Sequence, residues 1–361
     1  MAGKIGKRIL LIGPQWNGNW TEPTGCALEE LGYQVHRIYY NAAQVRNANS
    51  RRSIARVFNI PSISTPHWFR QLIWIWYGLQ LGDRLLREAS VFRPDLILTL
   101  KAEYLLPNTL HVLKQKTEAP VVTWWVDDPV FFQNKYRWLI FPRSVPLYDH
   151  VFIYDYSYLQ TLRDLGATRV TFLPCAADPT VYHPEALSNT EAKNLTSRIS
   201  FIGSFYPERG ELIESLLDQP GLAVWGPGWE EFLKIKQPQI ARKILRGLSL
   251  LPREINRIYQ ASDIVLNSHH AQTKIAGLNT RAFEILASGA FQLMDYVPKM
   301  ESLLSPGQEV AVYSSPAEAA TAVRKYLHDT SARHKIAQAG YERVLSEHTY
   351  FHRMQTLLSS L

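Results

Sequence analysis

Short apolar runs alternate with helix-like stretches along the whole chain, and this alternation constrains the fold more than any other feature. Six runs, most of them rich in β-branched or aromatic residues, occupy the first half: 8–13, 34–40, 95–100, 120–126, 150–154 and 169–173. Five more follow in the second half: 199–203, 222–225, 263–267, 290–294 and 309–313. The pattern predicts α/β structure with parallel sheets, and the two sets of runs predict two consecutive α/β units.

A change in composition separates the two sets. Prolines and a polar tract lie between Pro174 and Ser197, which is the chemistry of a linker. We predict a first domain over 1–175, a linker over 176–198, a second domain over 199–345 and a terminal helix over 346–361. Parallel sheets bind ligands beyond the carboxyl ends of their strands, so we expect two Rossmann-like domains facing a cleft. The carboxyl-terminal helices are expected to pack back on the first domain.

Composition and charge narrow the class of protein. The 361 residues include two cysteines, Cys26 and Cys175, too few for a disulfide framework or a thiol zinc site, so we expect a cytoplasmic protein. The apolar stretch Leu72–Leu79 is far shorter than the roughly 20 residues that span a bilayer, and the run Ile9–Ile12 is too short for a signal peptide. A net charge of +7 favours anionic partners. No recognised nucleic-acid motif accompanies it, so we predict no nucleic-acid binding.

The segment 279–289 contains the strongest candidate site. It predicts a short helix with Asn279 as the N-cap and Gly289 after its end. Arg281 and Glu284 are three residues apart and share one face near the helix start. A helix amino terminus attracts phosphate, an arginine binds phosphate through two N–H groups, and a carboxylate accepts hydrogen bonds from ribose hydroxyls. The group suits a nucleoside diphosphate, although a capped helix with a surface ion pair explains the same residues.

Two other strand ends add candidate ligands. Gly203 and Ser204 follow a predicted strand, and Arg209 stands at the start of the next helix, where it adds positive charge near a tight turn. The segment after a later strand adds three polar candidates: Asn267, His269 and Lys274. Taken singly, these residues also fit an ordinary strand–turn–helix unit and a solvated lysine.

Together these segments resemble a known family. The residues similar to the CgeB-like glycosyltransferases are Asn279-x-Arg281-x-Phe283-Glu284-x-x-Ala287-x-Gly289-Ala290, Leu266-Asn267-x-His269, and Phe201-Ile202-Gly203-Ser204 with Arg209. That family has the two-domain GT-B fold and binds a nucleotide sugar in its carboxyl-terminal domain. The resemblance covers the chain from Ile199 to its end, including His348-Thr349-Tyr350, and the first half in outline only.

The resemblance implies a role for several of these residues. Glu284 would hold the ribose, Arg209 and Lys274 would neutralise the diphosphate, and Arg281 would support it. The segment 247–251 would lie near the base, and no cofactor is implied because the nucleotide sugar is itself a substrate. Many GT-B enzymes carry an acidic residue eight positions before the ribose glutamate, where this chain has Ala276. A donor-sugar contact or a retaining mechanism therefore does not carry over from them.

The loop after the first strand and two later strand ends are candidates for the acceptor site. The loop offers polar and aromatic side chains beside a glycine: Gly13, Trp16, Asn17 and Asn19. An inverting transferase needs a base that takes the proton of the acceptor hydroxyl, and Asp127 and Glu103 are our candidates. Asp128 is interpreted instead as an N-cap before a proline. No third ligand accompanies the two aspartates, so we predict a metal-independent enzyme.

The segment 41–82 has no acidic residue and combines a basic cluster with an aromatic run over 68–77. Its arginines are Arg46, Arg51, Arg52, Arg56 and Arg70. One interpretation is peripheral contact with the inner membrane surface through 46–77, where a lipid-linked acceptor would be presented. The other is a long helix packed on the first sheet, and we favour it because the aromatic run is not confined to one helix face.

We therefore predict a glycosyltransferase, similar to hexosyltransferases, that moves a sugar from a nucleotide donor to an acceptor bound mainly by the first domain. The acceptor is a carbohydrate, a lipid-linked molecule or a protein. Two alternatives keep the same fold: a nucleotide- or carbohydrate-binding protein without turnover, and a nucleotide-sugar epimerase. Donor hydrolysis measured with and without acceptors separates these alternatives.

Overall fold

The structure is a computed structural model that describes residues 7–15, 20–40, 67–101, 104–129, 135–188, 195, 197–236, 239, 243–247, 250–270 and 276–361. Within these ranges, the side chains of 67–74, 135–139 and 234–236 are not described. The chain forms two compact units. The first consists of Met1–Pro174 and Arg353–Leu361, and the second of Cys175–His352.

The first unit is built on a six-stranded sheet with the strand order β2-β1-β3-β4-β5-β6, in which all neighbours are parallel. Its strands are β1 (Arg8–Gly13), β2 (Gln34–Tyr39), β3 (Leu96–Leu100), β4 (Val121–Trp125), β5 (His150–Ile153) and β6 (Val170–Phe172). β3, β4 and β5 are buried at every position, as expected of a parallel sheet covered on both faces. The prediction of an α/β first half is confirmed.

Helices connect the strands of the first unit. They are α1 (Thr21–Glu30), α2 (His67–Phe92), α3 (Pro107–Thr117), α4 (Lys135–Ser144) and α5 (Tyr158–Asp164). Proline stands at the start of α3. The N–H of a residue at this position has no acceptor within the helix, so proline loses no hydrogen bond there. The short α1 ends at Leu31, and Gly32 follows with a φ of 88°, which is the usual left-handed stop.

We favoured the interpretation that α2 packs on the first sheet along its length, and the first half of the helix differs from it. Leu81, Leu85 and Ala89 are buried, as a helix packed on the sheet requires, but Ile75 and Trp76 are each about half exposed. The aromatic run therefore does not lie wholly in the core. Residues 46–66 are outside the described ranges, so membrane contact through 46–77 stays a prediction. Within the described ranges, no helix has the length and apolarity needed to cross a membrane.

The second unit contains another six-stranded parallel sheet, with the order β12-β11-β10-β7-β8-β9. Its strands are β7 (Ser197–Ile202), β8 (Leu222–Trp225), β9 (Leu245–Gly247), β10 (Ser262–Asn267), β11 (Gln292–Asp295) and β12 (Ala311–Tyr313). The five predicted strands are present. β9 was not predicted because it has three residues at the sheet edge and exposes Arg246 and Gly247, so it carries no apolar pattern.

Seven helices follow these strands in the described part of the second half. They are α6 (Pro207–Glu214), α7 (Trp229–Lys236), α8 (Pro252–Gln260), α9 (Thr280–Ala287), α10 (Pro316–His328), α11 (Thr330–Glu347) and α12 (Tyr350–Ser359). The apolar faces of α6, α7 and α10 join the sheet in one core that includes Phe201, Trp229 and Val323. Residues from Arg353 onward belong to the first unit, where Arg353 Nε donates to the main-chain oxygen of Pro174 at 2.9 Å.

The order of the second sheet creates a crevice between β7 and β10. These two strands are neighbours, and the chain builds the sheet outward from them in opposite directions. In open parallel sheets, ligands bind at such a reversal point, beyond the carboxyl ends of the strands. The loops after Ile202 and Asn267 are therefore the place to examine for a site.

Hydrogen bonds to the end of β8 and the start of α7 fix the position of the loop after β7. Gly203 N donates to the main-chain oxygen of Trp225 at 2.9 Å, and Trp229 Nε1 donates to the oxygen of Gly203 at 2.7 Å. Gly226 has a φ of 131°, and a Cβ added there would lie 2.1 Å from the Gly203 oxygen. Only glycine allows this close approach of two loops.

We expect Gly226→Ala to destabilise the second unit more than Gly307→Ala does. Both glycines have positive φ, but a Cβ on Gly307 meets no atom within 4 Å. Gly307→Ala therefore measures the backbone strain alone, about 1–2 kcal/mol, whereas Gly226→Ala adds the collision with Gly203. Urea unfolding of the two variants measures the difference. Equal unfolding free energies would show that the Gly203 loop moves aside at no cost.

Candidate functional site

The candidate site is formed at the carboxyl edge of the second sheet by three segments. These are the loop 203–206 after β7, the loop 267–270 after β10 and the first turns of α9. Most of the side chains that the sequence predicted for donor binding lie on these segments. They belong to the second unit alone.

Asn279 determines where α9 begins. Its Oδ1 accepts the main-chain N–H of Ala282 at 3.0 Å, which makes it the N-cap, as predicted. Its amide group also pairs reciprocally with the buried amide of Asn267, at 3.1 and 3.0 Å. Asn267 Oδ1 in turn lies 3.3 Å from Arg281 Nη1. The two asparagines therefore fix both the helix start and one nitrogen of the arginine.

His269 is completely buried next to the start of α9. Its Nδ1 lies 2.8 Å from Asp295 Oδ1, and the same carboxylate accepts the main-chain N–H of His269 at 3.0 Å. Its Nε2 accepts the main-chain N–H of Asn279 at 3.0 Å, so we assign the ring proton to Nδ1. Both ring nitrogens are thus hydrogen-bonded to protein groups. His269, predicted as a donor-binding residue, therefore acts on the site by positioning Asn279.

Arg209 is buried and bonded only to main-chain oxygens among the described residues. Its Nε and Nη2 donate to the oxygen of Ser268 at 3.0 and 2.9 Å, and Nη1 donates to the oxygen of Ser204 at 3.0 Å. Burial, together with the positive charge of Arg281, lowers the pKa of Arg209 to about 10. These hydrogen bonds orient the guanidinium and leave its positive charge without a counter-charge in contact.

Arg281 also lies next to the Gly203 loop. A Cβ added to Gly203 would be 3.3 Å from Arg281 Nη2, so the glycine lets the guanidinium approach the loop. No carboxylate of the described residues lies within ion-pair distance of Arg281 or Arg209. Two neighbouring guanidinium groups at the ligand-binding edge of a sheet make a strong anion site.

Glu284 lies one turn further along α9, in surroundings that disfavour its charge. Burial raises its pKa to about 7, against the opposing effects of Arg281 and the Tyr182 hydroxyl. Tyr259 lies nearby, and burial, together with the Glu284 carboxylate, raises the pKa of both tyrosines. A carboxyl group with a raised pKa beside an arginine is a candidate functional group.

Some predicted donor residues lie outside the described ranges or have a different role. Lys274 and residues 248–249 of the predicted base loop are not described. Ser204 contributes its main-chain oxygen to Arg209, as given above. Ala276 is buried just before α9. The remaining predicted donor residues are brought together as expected, and their assignment to a nucleotide stays a prediction.

In the first unit, the candidate base Asp127 follows β4 and is already engaged. Its Oδ2 lies 2.7 Å from Lys101 Nζ, and its Oδ1 accepts the main-chain N–H of Asp128 at 3.0 Å. Both partners of the ion pair are largely buried. Lys101 directly follows β3 and has a φ of 47°, a conformation that costs energy in most residues other than glycine. Asp127 as the base stays a prediction.

The other acceptor candidates are only partly described. Glu103, Trp16, Asn17 and Asn19 lie outside the described ranges. A Cβ added to Gly13 would lie 2.2 Å from Thr21 Oγ1 at the start of α1. Close packing of the first strand against α1 therefore explains this glycine, whether or not it also borders an acceptor. Among the described residues, no three His, Cys, Asp or Glu side chains could together hold a metal ion.

Sequence reasoning missed three contributors to the site. Asp295 ends β11, and the rule that residues just after parallel strands deserve inspection would have found it. Tyr182 lies in the predicted linker, and Tyr259 lies near the end of α8. Nothing in the local pattern marks either tyrosine, because they meet Glu284 only through the tertiary fold.

The chain is similar to known proteins in sequence. Residues 209–359 match the family described as Glycosyl transferase-like. Spore protein CgeB of Bacillus subtilis (strain 168) is 24% identical over 279 residues, which are 73% of this chain and 82% of that protein. The chain is thus similar to CgeB, and its second half is similar to the glycosyl transferase-like family. The resemblance inferred from the segments after Ile199 is thereby confirmed.

Solved structures agree with this family in their fold. Sucrose-phosphate synthase from Thermosynechococcus elongatus superposes with a TM-score of 0.69 at 13% identity, over 98% of this chain and 99% of that one. Anabaena HepE, solved in complex with UDP-glucose, gives 0.63 at 15% identity over 98% and 100%. A structure titled trehalose-6-phosphate from E. coli, bound with UDP-2-fluoro glucose, gives 0.68 at 14% identity over 98% of both chains. The predicted GT-B fold is confirmed.

We expect Asp295→Ala to lower the free energy of unfolding of the CgeB-like chain by about 2–5 kcal/mol. The change leaves two buried N–H groups of His269 without an acceptor, and each unsatisfied group costs about 1–3 kcal/mol. Asp295→Asn keeps an acceptor oxygen and should cost less. Chemical unfolding of both variants measures the effect, and equal losses would mean that a single amide oxygen cannot replace the carboxylate.

Proposed function

We propose that the second unit of this CgeB-like glycosyltransferase binds the donor through the diphosphate of a nucleoside diphosphate sugar. The observation that supports this most directly is the pair of guanidinium groups, Arg209 and Arg281, which both lie next to the Gly203 loop. The arginines repel each other, and a bridging anion removes that repulsion. A diphosphate has two phosphate groups and carries the negative charge that both arginines attract.

The start of α9 adds a second attraction for the same diphosphate. The first N–H groups of a helix and its dipole favour an anion, and Asn279 satisfies only the N–H of Ala282. Glu284 then lies one turn beyond the diphosphate, which suits a carboxylate that accepts hydrogen bonds from ribose hydroxyls. The donor would extend along α9 from ribose to diphosphate.

UDP-glucose is the first probe for this site. HepE was solved with UDP and with UDP-glucose, and the E. coli structure contains UDP-2-fluoro glucose. We propose a uridine nucleotide for this chain on that basis.

The proposed chemistry follows from the leaving group. The acceptor oxygen attacks the anomeric carbon, the bond from that carbon to the diphosphate oxygen breaks, and the diphosphate leaves with the electron pair. Arg209 and Arg281 would stabilise the negative charge that builds up on it. A base takes the acceptor proton, and Asp127 and Glu103 remain the predicted candidates. We place the acceptor, a carbohydrate, a lipid-linked molecule or a protein, on the first unit.

Two alternatives predict different products. A binding protein on this fold would release neither UDP nor sugar, and an epimerase would convert the donor without an acceptor. Sugar transfer that depends on an added acceptor excludes both. The arginine pair favours transfer, because charge stabilisation matters most when the diphosphate becomes a leaving group.

We expect Arg209→Gln to weaken UDP binding by about 10- to 100-fold, since a charge-assisted hydrogen bond contributes about 1.5–3 kcal/mol. Binding of uridine, which lacks phosphate, should change little. Arg333→Gln is the matched control, because Arg333 is also a buried arginine of the second unit but pairs with Asp263. Isothermal titration calorimetry with UDP and uridine measures both ligands. Equal losses for the two ligands would indicate a packing role for Arg209.

We also expect affinity for UDP-glucose to rise with pH around neutrality. The pKa of Glu284 is raised to about 7, so the carboxylate that accepts the ribose hydrogen bonds forms only as pH passes that value. If only the ionised form binds, affinity at pH 6 should be about tenfold below the plateau above pH 8. UDP-glucose is the suitable ligand because its diphosphate does not titrate in this range. Glu284→Gln should abolish the pH dependence, and an unchanged profile in that variant would remove Glu284 from the site.

A further inference from the structure

A cavity of about 510 Å³ lies at the amino-terminal edge of the second sheet. Ser262 and Asp263, which begin β10, border it, together with the residues between α9 and β11 and one face of α11. All of its lining residues belong to the second unit. The proposed donor site lies at the opposite, carboxyl edge of the same sheet. The cavity has the size of a small-molecule site, and the proposed donor chemistry makes no use of it.

The helix α11 has two faces with different surroundings. One face packs against the core, where a Cβ added to Gly340 would lie 2.3 Å from the main-chain oxygen of Glu309. The other face borders the cavity through residues whose spacing places them along one side of a helix. They are His334, Ala337, Gln338 and Tyr341. This second face of α11 therefore forms one wall of the cavity.

Two side chains on this wall are available to a ligand. Among the described residues, no side chain or main-chain group is hydrogen-bonded to the imidazole of His334 or to the hydroxyl of Tyr341. His334 is exposed and Tyr341 is partly exposed. Their positions on the helix differ by about 10 Å along its axis. A ligand that contacts both groups must therefore extend over two turns of α11.

The charged groups that border the cavity are paired with each other. Arg333 Nη2 lies 3.2 Å from Asp263 Oδ1, and Arg198 Nε lies 3.3 Å from the other oxygen of the same carboxylate. The pairing of Arg333 with Asp263 leaves neither a carboxylate that would attract a cation nor a guanidinium that would attract an anion. The contacts of the cavity with a ligand thus favour an uncharged molecule.

The ends of two helices strengthen the case against an anion. Ala261, which follows α8, and Ser288, which follows α9, both border the cavity. The dipole of a helix makes its carboxyl end negative. An imidazole and a phenol hydroxyl each donate and accept hydrogen bonds, as the hydroxyl groups of a ligand require. An uncharged, hydroxyl-rich molecule fits these groups, and an oligosaccharide is a molecule of this kind that also extends over two helical turns.

We infer that this cavity binds an uncharged oligosaccharide through His334 and Tyr341, at a site separate from the donor site. The inference does not depend on the proposed donor. A glycan held there stays close to the enzyme between transfers, which raises its effective concentration at an acceptor site.

Isothermal titration calorimetry with three uncharged trisaccharides, maltotriose, cellotriose and triacetylchitotriose, tests the inference. At least one of them should bind. His334→Ala and Tyr341→Phe should each weaken that binding by about three- to tenfold, because each change removes one hydrogen-bonding group. Lys335→Ala is the matched control, since Lys335 is the exposed neighbour of His334 on α11 and does not border the cavity. It should leave the affinity unchanged, and UDP should bind all of these proteins equally.

Four results would overturn the inference. One is that none of the three trisaccharides binds at millimolar concentration. A second is binding that neither His334→Ala nor Tyr341→Phe changes, because the glycan then lies elsewhere, and a third is an equal loss in Lys335→Ala. Inorganic phosphate is the charged probe, and phosphate binding that His334→Ala removes would make the cavity an anion site instead. UDP binding by the unchanged protein is judged separately, so the proposed donor site stands or fails independently of these results.

Discussion

The hydrogen bond from the main-chain N–H of Asn279 to buried Nε2 of His269 places the start of α9, and the donor site depends on that start. A helix that began one residue earlier or later would turn Arg281 and Glu284 by about 100° around its axis. Asp295 prevents this shift because it holds both the ring and the main chain of His269. The proposed ligand groups lie on a surface that is set by residues a ligand does not touch.

The burial of Arg209 has a free-energy cost. A buried guanidinium loses hydration, and main-chain oxygens replace its hydrogen bonds but not a counter-charge. A carboxylate in direct contact would compete with a diphosphate for the arginine. Among the described residues, Glu208 and Asp295 act on Arg209 only from beyond ion-pair distance.

Most of the fold and part of the site could be predicted from sequence. Eleven of the twelve strands follow from apolar runs, and Asn279 as an N-cap follows from local chemistry. The short edge strand over Leu245–Gly247 has no such run. The packing of Tyr182 and Tyr259 around Glu284, and the ring contacts of Tyr206 with His270, depend on segments distant in sequence. Periodicity carries no information about which distant side chains meet.

The site therefore has two parts with different constraints. Buried Asn267 pairs with Asn279 and buried His269 pairs with Asp295, so a change in one residue leaves its partner without a bond. Tyr206 and His270 stand in front of this network, and their mutual stacking leaves part of the tyrosine exposed. Substitutions there alter the surface without disturbing the start of α9. The front of the crevice can therefore vary while the network that places α9 stays the same.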